Sequence, residues 1–171
     1  MTISLEQLLE SRDRRAAMQK DLLDKYPGKS LLCLTVQLPG REKRNAASLA
    51  IADAGVAAIR EVLTPEREIL RDLETGYEAY FIVSCTDTEA KRLAVGIEDS
   101  HPLGRMMDID VISLEGPLSR ESIGLGPRPC LICGQPARIC MRARTHSTEE
   151  LIETINAKVD NYLKANLGNM V

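Results

Sequence analysis

Helical and strand-like periodicity alternate along most of this chain. Residues 4–25 repeat apolar side chains at helical spacing behind a capping box of Ser4 and Gln7, and Pro27-Gly28 ends that segment. Short apolar runs and longer amphipathic segments then follow each other up to residue 114. In chain order they predict a strand at 30–38, a helix at 45–63, strands at 67–74 and 77–85, a helix opened by Thr86, and a strand at 106–114.

The order of these elements predicts an α+β fold. Strand, helix, strand, strand, helix, strand over residues 30–114 is the order of the ferredoxin-like βαββαβ unit, an antiparallel sheet with helices on one face. Thr75-Gly76 separates the two middle strands and is a hairpin signal. Helices carried in the long connections favour this unit over an all-β barrel.

The C-terminal third predicts a loop followed by a helix. Residues 115–129 are rich in Gly, Pro and Ser and are expected to form an exposed loop. Ser147 and Glu150 repeat the capping-box pattern and open a final helix. The prediction is a single domain over residues 1–171, with flanking helices at both ends, a Cys- and Arg-rich loop at 116–146 and a C-terminal helix at 147–167.

Composition narrows the classes of partner. The 171 residues include 44% hydrophobic and 27% charged residues, which is normal for a globular protein. The net charge is −3 and aromatic residues make up only 3%, so neither electrostatic capture of a nucleic acid nor base stacking is expected. No apolar run could cross a bilayer, and no membrane partner is predicted. The absence of a signal peptide and the odd number of five cysteines predict a reducing, cytoplasmic location.

The most informative polar feature is Asp108-Ile109-Asp110, inside the apolar stretch 106–114. Side chains two residues apart on a strand point to the same face, so both carboxylates are expected side by side. A hard divalent cation relieves the repulsion between two such charges, which makes the pair a candidate Mg²⁺ site facing phosphate oxygens. The alternative is two solvated acids on the polar face of a half-buried strand.

The loop His101-Pro-Leu-Gly-Arg105 directly precedes this strand. Gly104 would let the backbone approach a ligand closely, and the Arg105 guanidinium is a forked donor for phosphate. His101 is one of only two histidines, and it either joins the same site or lies at a helix end where the dipole favours it. The cluster of His101, Arg105 and the two aspartates predicts a catalytic site.

Arginines are concentrated between residues 116 and 146, although the chain as a whole is acidic. This segment contains one acidic residue and five arginines, which are Arg120, Arg128, Arg138, Arg142 and Arg144. Such a local excess suggests a confined site for a phosphorylated ligand or an acidic partner. A solvated basic loop is the alternative.

Three cysteines and a histidine near the C-terminus have the spacing C-x2-C-x6-C-x5-H. They are Cys130, Cys133, Cys140 and His146. Thiolates in C-x2-C can share one tetrahedral ion, and a third thiolate with an imidazole would complete a closed, structural Zn²⁺ site. Buried, unreactive thiols beside a histidine near a helix cap are the alternative.

Three stretches of the chain resemble a known family. His101-Pro-Leu-Gly-Arg-Met-Met-Asp-Ile-Asp-Val111 resembles the signature of the apo-citrate lyase phosphoribosyl-dephospho-CoA transferases, also called holo-citrate lyase synthases. Pro129-Cys-Leu-Ile-Cys133, Cys140 and Thr145-His146 are similar to the family's cysteine segment. Leu8-Leu-Glu-Ser-Arg-Asp-Arg-Arg15 resembles its N-terminal helix. The likeness runs over about residues 4–165.

The resemblance implies an enzyme that modifies the acyl carrier (γ) subunit of citrate lyase. The implied donor is 2′-(5″-triphosphoribosyl)-3′-dephospho-CoA, and the acceptor is a serine hydroxyl of that small subunit. The product is a phosphodiester, with pyrophosphate released. In such nucleotidyl-transfer chemistry a hydroxyl attacks, in line, the phosphorus nearest the ribose.

On this interpretation the central loop and strand perform the chemistry. Asp108 and Asp110 hold Mg²⁺ against the triphosphate, and Arg105 with the Gly104 backbone grips its terminal phosphates. His101 orients the chain or acts as general base toward the carrier serine. The Asp-x-Asp pair after a Gly-containing loop also resembles the general nucleotidyltransferase pattern. That pattern has a Gly-Ser pair where this chain has Gly104-Arg105, and it has a third carboxylate. Nearness in the sequence offers Glu98 or Asp99 for that carboxylate.

The basic segment is assigned to substrate or partner binding. Arg128, Arg142 and Arg144 would meet the pyrophosphate of dephospho-CoA or acidic side chains of the carrier. The rival hypothesis is a non-enzymatic adaptor, held together by zinc, whose arginine loop docks an acidic carrier protein. Such an adaptor would not need paired aspartates behind a Gly-Arg loop.

Overall fold

The computed structural model describes residues 3–168. In that range the chain forms five α-helices, five strands and two short 3₁₀ turns. In chain order the helices and strands are α1 Leu5–Lys25, β1 Ser30–Val36, α2 Ala46–Val62, β2 Arg67–Leu73, β3 Gly76–Val83, α3 Asp87–Ser100, β4 Met107–Ser113, β5 Gly116–Pro117, α4 Ala137–Ala143 and α5 Thr148–Gly168. Positions 1–2 and 169–171 of the predicted domain lie outside the described residues.

Polar side chains begin the helices where the sequence predicts. The Ser4 hydroxyl accepts from the Gln7 N–H at 3.1 Å, and the Ser4 N–H donates to the Gln7 side chain at 2.8 Å, which completes a capping box. Thr86 and Glu89 form the same arrangement at the start of α3. These bonds satisfy backbone donors that lack partners in a first helical turn, so local sequence fixes where the helices begin.

The strands form one antiparallel sheet in the order β2-β3-β1-β4-β5. The central strand β1 pairs with β3 on one side and with β4 on the other. Helices α2, α3 and α5 share a core with one face of the sheet, and α1 packs on the opposite face. The predicted α+β class is therefore confirmed.

Alternation along the strands sends side chains into two separate cores. Leu32 and Leu34 of β1 join Phe81 of β3 in the core beneath α2 and α3. Cys33 points the other way and packs with Tyr80 beneath α1. Burying each large apolar side chain contributes about 1.5–3 kcal/mol, so both faces of the sheet stabilise the fold.

Two parts of the C-terminal third differ from the prediction. The loop expected at 115–129 contains β5 and a 3₁₀ turn at Glu121–Ile123, and the Ile123 side chain is buried. Within the Cys- and Arg-rich segment, residues 137–143 form α4. A helix of seven residues is too short to produce a recognisable periodic pattern. Across the described range no helix combines the length and apolar character needed to span a bilayer.

Candidate active site and metal centre

Strand β4 places two aspartates on the sheet face that α1 covers. Its Met107, Ile109 and Val111 side chains point into the core beneath α2 and α3. Because side chains alternate along a strand, Asp108 and Asp110 point to the opposite face. The two carboxylates therefore share one face, as the strand prediction requires.

Asp108 is held by one guanidinium and one amide. Its Oδ1 lies 3.0 Å from Arg128 Nη1, and its Oδ2 accepts from Gln37 Nε2 at 2.7 Å. Arg128 Nη2 also donates to the carbonyl oxygens of Arg105, at 3.0 Å, and of Met107. The sequence predicts Arg105 as the guanidinium of this site, whereas the guanidinium in contact with Asp108 belongs to Arg128.

Asp110 lies beside Asp108 and keeps 44% of its side chain exposed. Its nearest cation is Lys91 Nζ, 3.9 Å from Asp110 Oδ1. Burial, followed by the negative charge of Asp108, raises the pKa of Asp110 to about 6, against the opposing charge of Lys91. A divalent cation between the two carboxylates would relieve this repulsion, so the pair fits a hard metal ion that also contacts phosphate.

Glu98 of α3 covers the open edge of β4 next to the aspartates. It is 3% exposed, its Oε1 accepts from the Ile109 N–H at 2.9 Å, and its Oε2 lies 2.7 Å from Arg120 Nη2. Lys91 Nζ reaches the Ile109 carbonyl oxygen at 3.5 Å. Nearness in the sequence offers Glu98 as a third catalytic acid, but its oxygens are engaged by a backbone donor and an arginine. Glu98 therefore positions β4 and the neighbouring arginine.

A cavity of about 700 Å³, which we call the large cavity, opens between the loop that follows Arg128 and helix α5. Arg105, Arg128 and Arg144 line it together with apolar side chains. The apolar residues include Leu38, Met106, Leu131, Met141, Leu151 and Ile155. Arg105 Nη2 donates to the Pro129 carbonyl oxygen, while its buried Nε and Nη1 have no hydrogen-bond partner in the described structure. These two donors are suited to an anionic ligand.

A smaller cavity of about 250 Å³, which we call the basic cavity, lies between α1 and the sheet. The cations in its wall are Arg12, Arg15 and Lys43. Asp108 lines the basic cavity, and Gln37 and Leu38 line both cavities. Asp108 therefore lies where the two cavities meet, because its hydrogen-bond partners Gln37 and Arg128 both line the large cavity.

His101 ends α3 and packs against α5. Its Nδ1 accepts from the Leu103 N–H at 3.0 Å, and its ring centroid lies 5.3 Å from that of Tyr162. Burial lowers the pKa of His101, which favours the neutral ring. His101 lines neither cavity, so these contacts are those of a helix-cap residue.

The other predicted binding residues, Gly104, Arg142 and Arg144, differ in where they lie relative to the large cavity. Gly104 is buried, and a Cβ at this position would lie 2.4 Å from the Ile97 carbonyl oxygen, so close packing against α3 requires glycine there. Arg144 lines the large cavity from the end of α4, with a left-handed backbone at φ 50°. Arg142 is exposed on α4 and does not line that cavity.

Three cysteines and a histidine converge beside the large cavity. The four possible ligand atoms of Cys130, Cys133, Cys140 and His146 all lie within 4.8 Å of one another. Cys133 Sγ is 3.5 Å from Cys140 Sγ and 3.3 Å from His146 Nε2. Bonds of about 2.3 Å from sulfur to a tetrahedral Zn²⁺ separate ligand atoms by about 3.8 Å, so this spacing fits such an ion. The fold therefore brings together the four residues of the C-x2-C-x6-C-x5-H pattern, as the sequence predicts.

Groups around the cluster favour metal ligation. The Cys130 N–H donates to the Gln135 carbonyl oxygen at 2.6 Å and closes a loop that includes the first two cysteines. The Gln135 backbone N–H, followed by His146, lowers the pKa of Cys133 to about 7. On the other side of the imidazole, Glu150 Oε2 lies 3.6 Å from His146 Nδ1. A carboxylate behind a histidine is the usual support for a metal ligand.

Two of the relatives of this chain carry the same name, and a third is a longer protein with a different name. In Streptococcus pyogenes, a protein named "Probable apo-citrate lyase phosphoribosyl-dephospho-CoA transferase" is 38% identical over 161 residues, which cover 90% of this chain and 84% of the relative. A Vibrio cholerae protein of the same name is 37% identical over 169 residues, 95% of this chain and 94% of the relative. "Protein CitXG" of Haemophilus influenzae is 38% identical over 166 residues, and the chain spans only 36% of that longer protein.

A family model gives the same result over nearly the whole chain. Residues 3–162 match the model described as apo-citrate lyase phosphoribosyl-dephospho-CoA transferase. The match includes the aspartates of β4 and the cysteine cluster. The chain therefore belongs to the apo-citrate lyase phosphoribosyl-dephospho-CoA transferase family.

Proposed function

We propose that the protein transfers phosphoribosyl-dephospho-CoA from 2′-(5″-triphosphoribosyl)-3′-dephospho-CoA to a serine of the acyl carrier (γ) subunit of citrate lyase. The serine oxygen forms a bond to the phosphorus nearest the ribose. The bond from that phosphorus to the terminal diphosphate breaks, pyrophosphate leaves, and the serine proton is lost. The family name supports a transfer of this group to apo-citrate lyase.

The position of Asp108 is the observation that carries this proposal. In-line displacement at phosphorus depends on positioning and on neutralising negative charge. Asp108 lies between a cavity lined by cations and a larger one lined by arginines and apolar groups. Ligand cavities of about 300–1,000 Å³ accept molecules of nucleotide size, and the large cavity falls in that range. We assign the large cavity to the dephospho-CoA part of the donor.

Asp108 and Asp110 would hold Mg²⁺. Two carboxylates on one strand face offer the hard oxygen ligands that this ion takes together with substrate phosphates. When bound, the ion would neutralise phosphate charge as the leaving group departs. Part of the rise in the pKa of Asp110 comes from the negative charge of Asp108, and a bound cation would offset that repulsion.

The arginines take separate roles in this proposal. Arg105 has two buried donors without partners, so we assign it to phosphate oxygens of the donor within the large cavity, together with Arg144. Arg128 holds Asp108 in place. Arg142, exposed on α4, would meet acidic side chains of the carrier subunit. His101 orients the loop before β4 through its cap contacts.

The cysteine cluster would hold one structural Zn²⁺. Its four ligand atoms lie within 4.8 Å of one another, and four protein ligands leave no open position for chemistry. Zinc would then fix the loop that forms a wall of the large cavity.

The core would belong to the ferredoxin-like class. The order β2-β3-β1-β4, the hairpin between β2 and β3, and the common face shared by α2 and α3 all support this class. Strand β5 and helix α1 would be additions to that core.

Substitution of Asp108 tests the proposed reaction. With purified donor and apo-carrier in saturating Mg²⁺, Asp108→Asn should release pyrophosphate at least about 100-fold more slowly than wild type, because it weakens a charge interaction made during the transfer. Asp160→Asn makes the same chemical change at an exposed position on α5 and should keep wild-type turnover. Circular dichroism checks that both variants fold.

Two results would oppose the proposal. Near-normal turnover of Asp108→Asn would remove the metal role from that residue. A wild-type protein that binds the carrier but releases no pyrophosphate would instead favour the adaptor.

A further inference from the structure

The basic cavity has a wall that is fixed by contacts between α1 and the sheet. Ser11 of α1 is buried, and its hydroxyl lies 2.8 Å from the Thr75 hydroxyl in the turn between β2 and β3. This contact holds the helix over the end of the sheet. Arg12 and Arg15, on the same helix, line the cavity, and Lys43 completes the wall from the segment before α2.

Both acids in the basic cavity already have cationic partners. Glu78 is nearly fully buried, and its carboxylate lies 3.3 Å from Arg15 Nε and 3.4 Å from Arg71 Nη1. Asp108 lies 3.0 Å from Arg128 Nη1. The acids in the wall are therefore neutralised by cations, two of which, Arg71 and Arg128, do not line the cavity.

Arg12 and Lys43 keep a positive charge that no acid among the described residues balances. Over residues 3–168 neither side chain forms an ion pair with a carboxylate. Lys43 Nζ donates to the Leu38 carbonyl oxygen. Burial, followed by the charge of Arg12, lowers the pKa of Lys43. An anion placed between the two side chains would relieve this repulsion.

We propose that the basic cavity binds the two terminal phosphates of the donor, the part that leaves as pyrophosphate, and that Arg12, Arg15 and Lys43 are its cationic ligands. The identity of the donor rests on the proposed function, whereas the preference for a small polyanion follows from the cavity. Asp108 lies in the same wall. The bond that breaks would therefore lie near Asp108, with the leaving group on one side and dephospho-CoA on the other.

The size of the basic cavity favours a polyphosphate over other anionic groups of the donor. Its volume of about 250 Å³ is below the range of about 300–1,000 Å³ for nucleotide-sized ligands. A nucleoside or pantetheine group therefore belongs in the large cavity, where apolar side chains are available. Three cations around a small space match the dense charge of a pyrophosphate.

Calorimetric titration of the 171-residue protein with inorganic pyrophosphate, in the presence of Mg²⁺, tests the site directly. Arg12→Gln and Lys43→Gln should each weaken binding about tenfold, as expected for the loss of one charge-assisted hydrogen bond. The matched control is Arg14→Gln. Arg14 is exposed on the same helix and pairs with Glu10 at 2.9 Å, so this variant should bind like wild type. Thermal unfolding should be nearly unchanged in Arg12→Gln, because Arg12 is exposed and unpaired within the described range.

Transfer kinetics separate the possible occupants. Arg12→Gln should raise the KM for the donor about tenfold and leave the KM for the carrier unchanged. Equal pyrophosphate affinity of Arg12→Gln and Arg14→Gln would overturn the assignment. A change confined to the KM for the carrier would also overturn it, since the cavity would then receive acidic side chains of the acceptor. A wild-type protein that binds pyrophosphate through Arg12 and Lys43 but transfers no group would keep this site and refute only the proposed reaction.

Discussion

The ionisation state of Asp110 affects both the stability of the fold and the proposed binding of Mg²⁺. The charged groups around it are Asp108 on the same strand, Lys91 and Glu98 from α3, and Arg128 from the following loop. Burial and then Asp108 raise its pKa from 3.8 to about 6, so the folded protein holds this proton more tightly than the unfolded chain does. The stabilisation from that proton is complete below about pH 4 and is lost as the pH rises through about 6.

Asp110→Asn should therefore stabilise the protein at pH 8 more than at pH 5, in buffer without Mg²⁺. We expect a gain of at most about 1 kcal/mol, because 44% of the side chain is exposed and solvent screens its charge. Urea denaturation at the two pH values measures the difference. Added Mg²⁺ should stabilise wild type but not the variant. An equal gain at both pH values would show that ionisation of Asp110 is not the cause.

At the scale of elements, β4 is an edge strand over most of its length and still carries the site. It pairs with β1 from Met107 to Ile112 and with β5 at two residues, Ile112 and Ser113. Side chains replace the missing strand: Glu98 accepts from the Ile109 N–H, and Arg128 donates to the Met107 carbonyl oxygen. Covering an edge in this way prevents pairing with another chain, and here it also fixes Asp108.

Glu98→Gln should lower the free energy of unfolding by about 2 kcal/mol, because it removes a buried, charge-assisted contact with Arg120. Asp99→Asn is the matched control. Asp99 contacts the same arginine at 2.8 Å but is 46% exposed, so its loss should be below about 1 kcal/mol. Denaturation curves of both variants give the comparison. Equal losses would mean that burial of Glu98 does not strengthen the pair.

At the scale of the whole molecule, the cysteine cluster forms part of the wall of the large cavity and lies apart from the sheet. Cys130, Cys140 and His146 themselves line the large cavity. Neither of the two cores beside the sheet, as described over residues 3–168, includes any of the four cluster residues. A bound ion would therefore shape the large cavity while the sheet keeps its packing.

Metal analysis of the purified protein should find one zinc per chain, and Cys133→Ser should lose it. We expect this variant to unfold at least about 5 °C below wild type, since 1 kcal/mol changes the midpoint by about 2–4 °C in a chain of this size. Its far-ultraviolet circular dichroism should keep the sheet signal. Cys85→Ser, at a free cysteine outside the cluster, should retain the metal. If the purified wild-type protein contains no zinc, the prediction is wrong and the cluster is a set of three unligated thiols and a histidine.

Local patterns predict the elements well because their causes are local. The capping boxes at Ser4 and Thr86 satisfy backbone groups within one turn, and period-two alternation in β4 depends on adjacent residues. The short helix α4 escapes prediction because its seven residues carry no clear period. In α5, Ile155 and Val159 pack against the core, whereas Leu163 is exposed toward the end of the helix.

By itself the sequence determined the element order of the core, the pairing of Asp108 with Asp110 on one face, and the cysteine spacing, since each depends on residues close together in the chain. Only the tertiary structure decided that Gln37, 71 residues away, and Arg128 hold Asp108, and that Arg12 and Lys43 share a cavity with it. It also packed His101 against Tyr162 of α5, outside the walls of both cavities. Contacts between distant residues arise from how strands pair and how helices and loops pack on the sheet, and no local spacing encodes that arrangement.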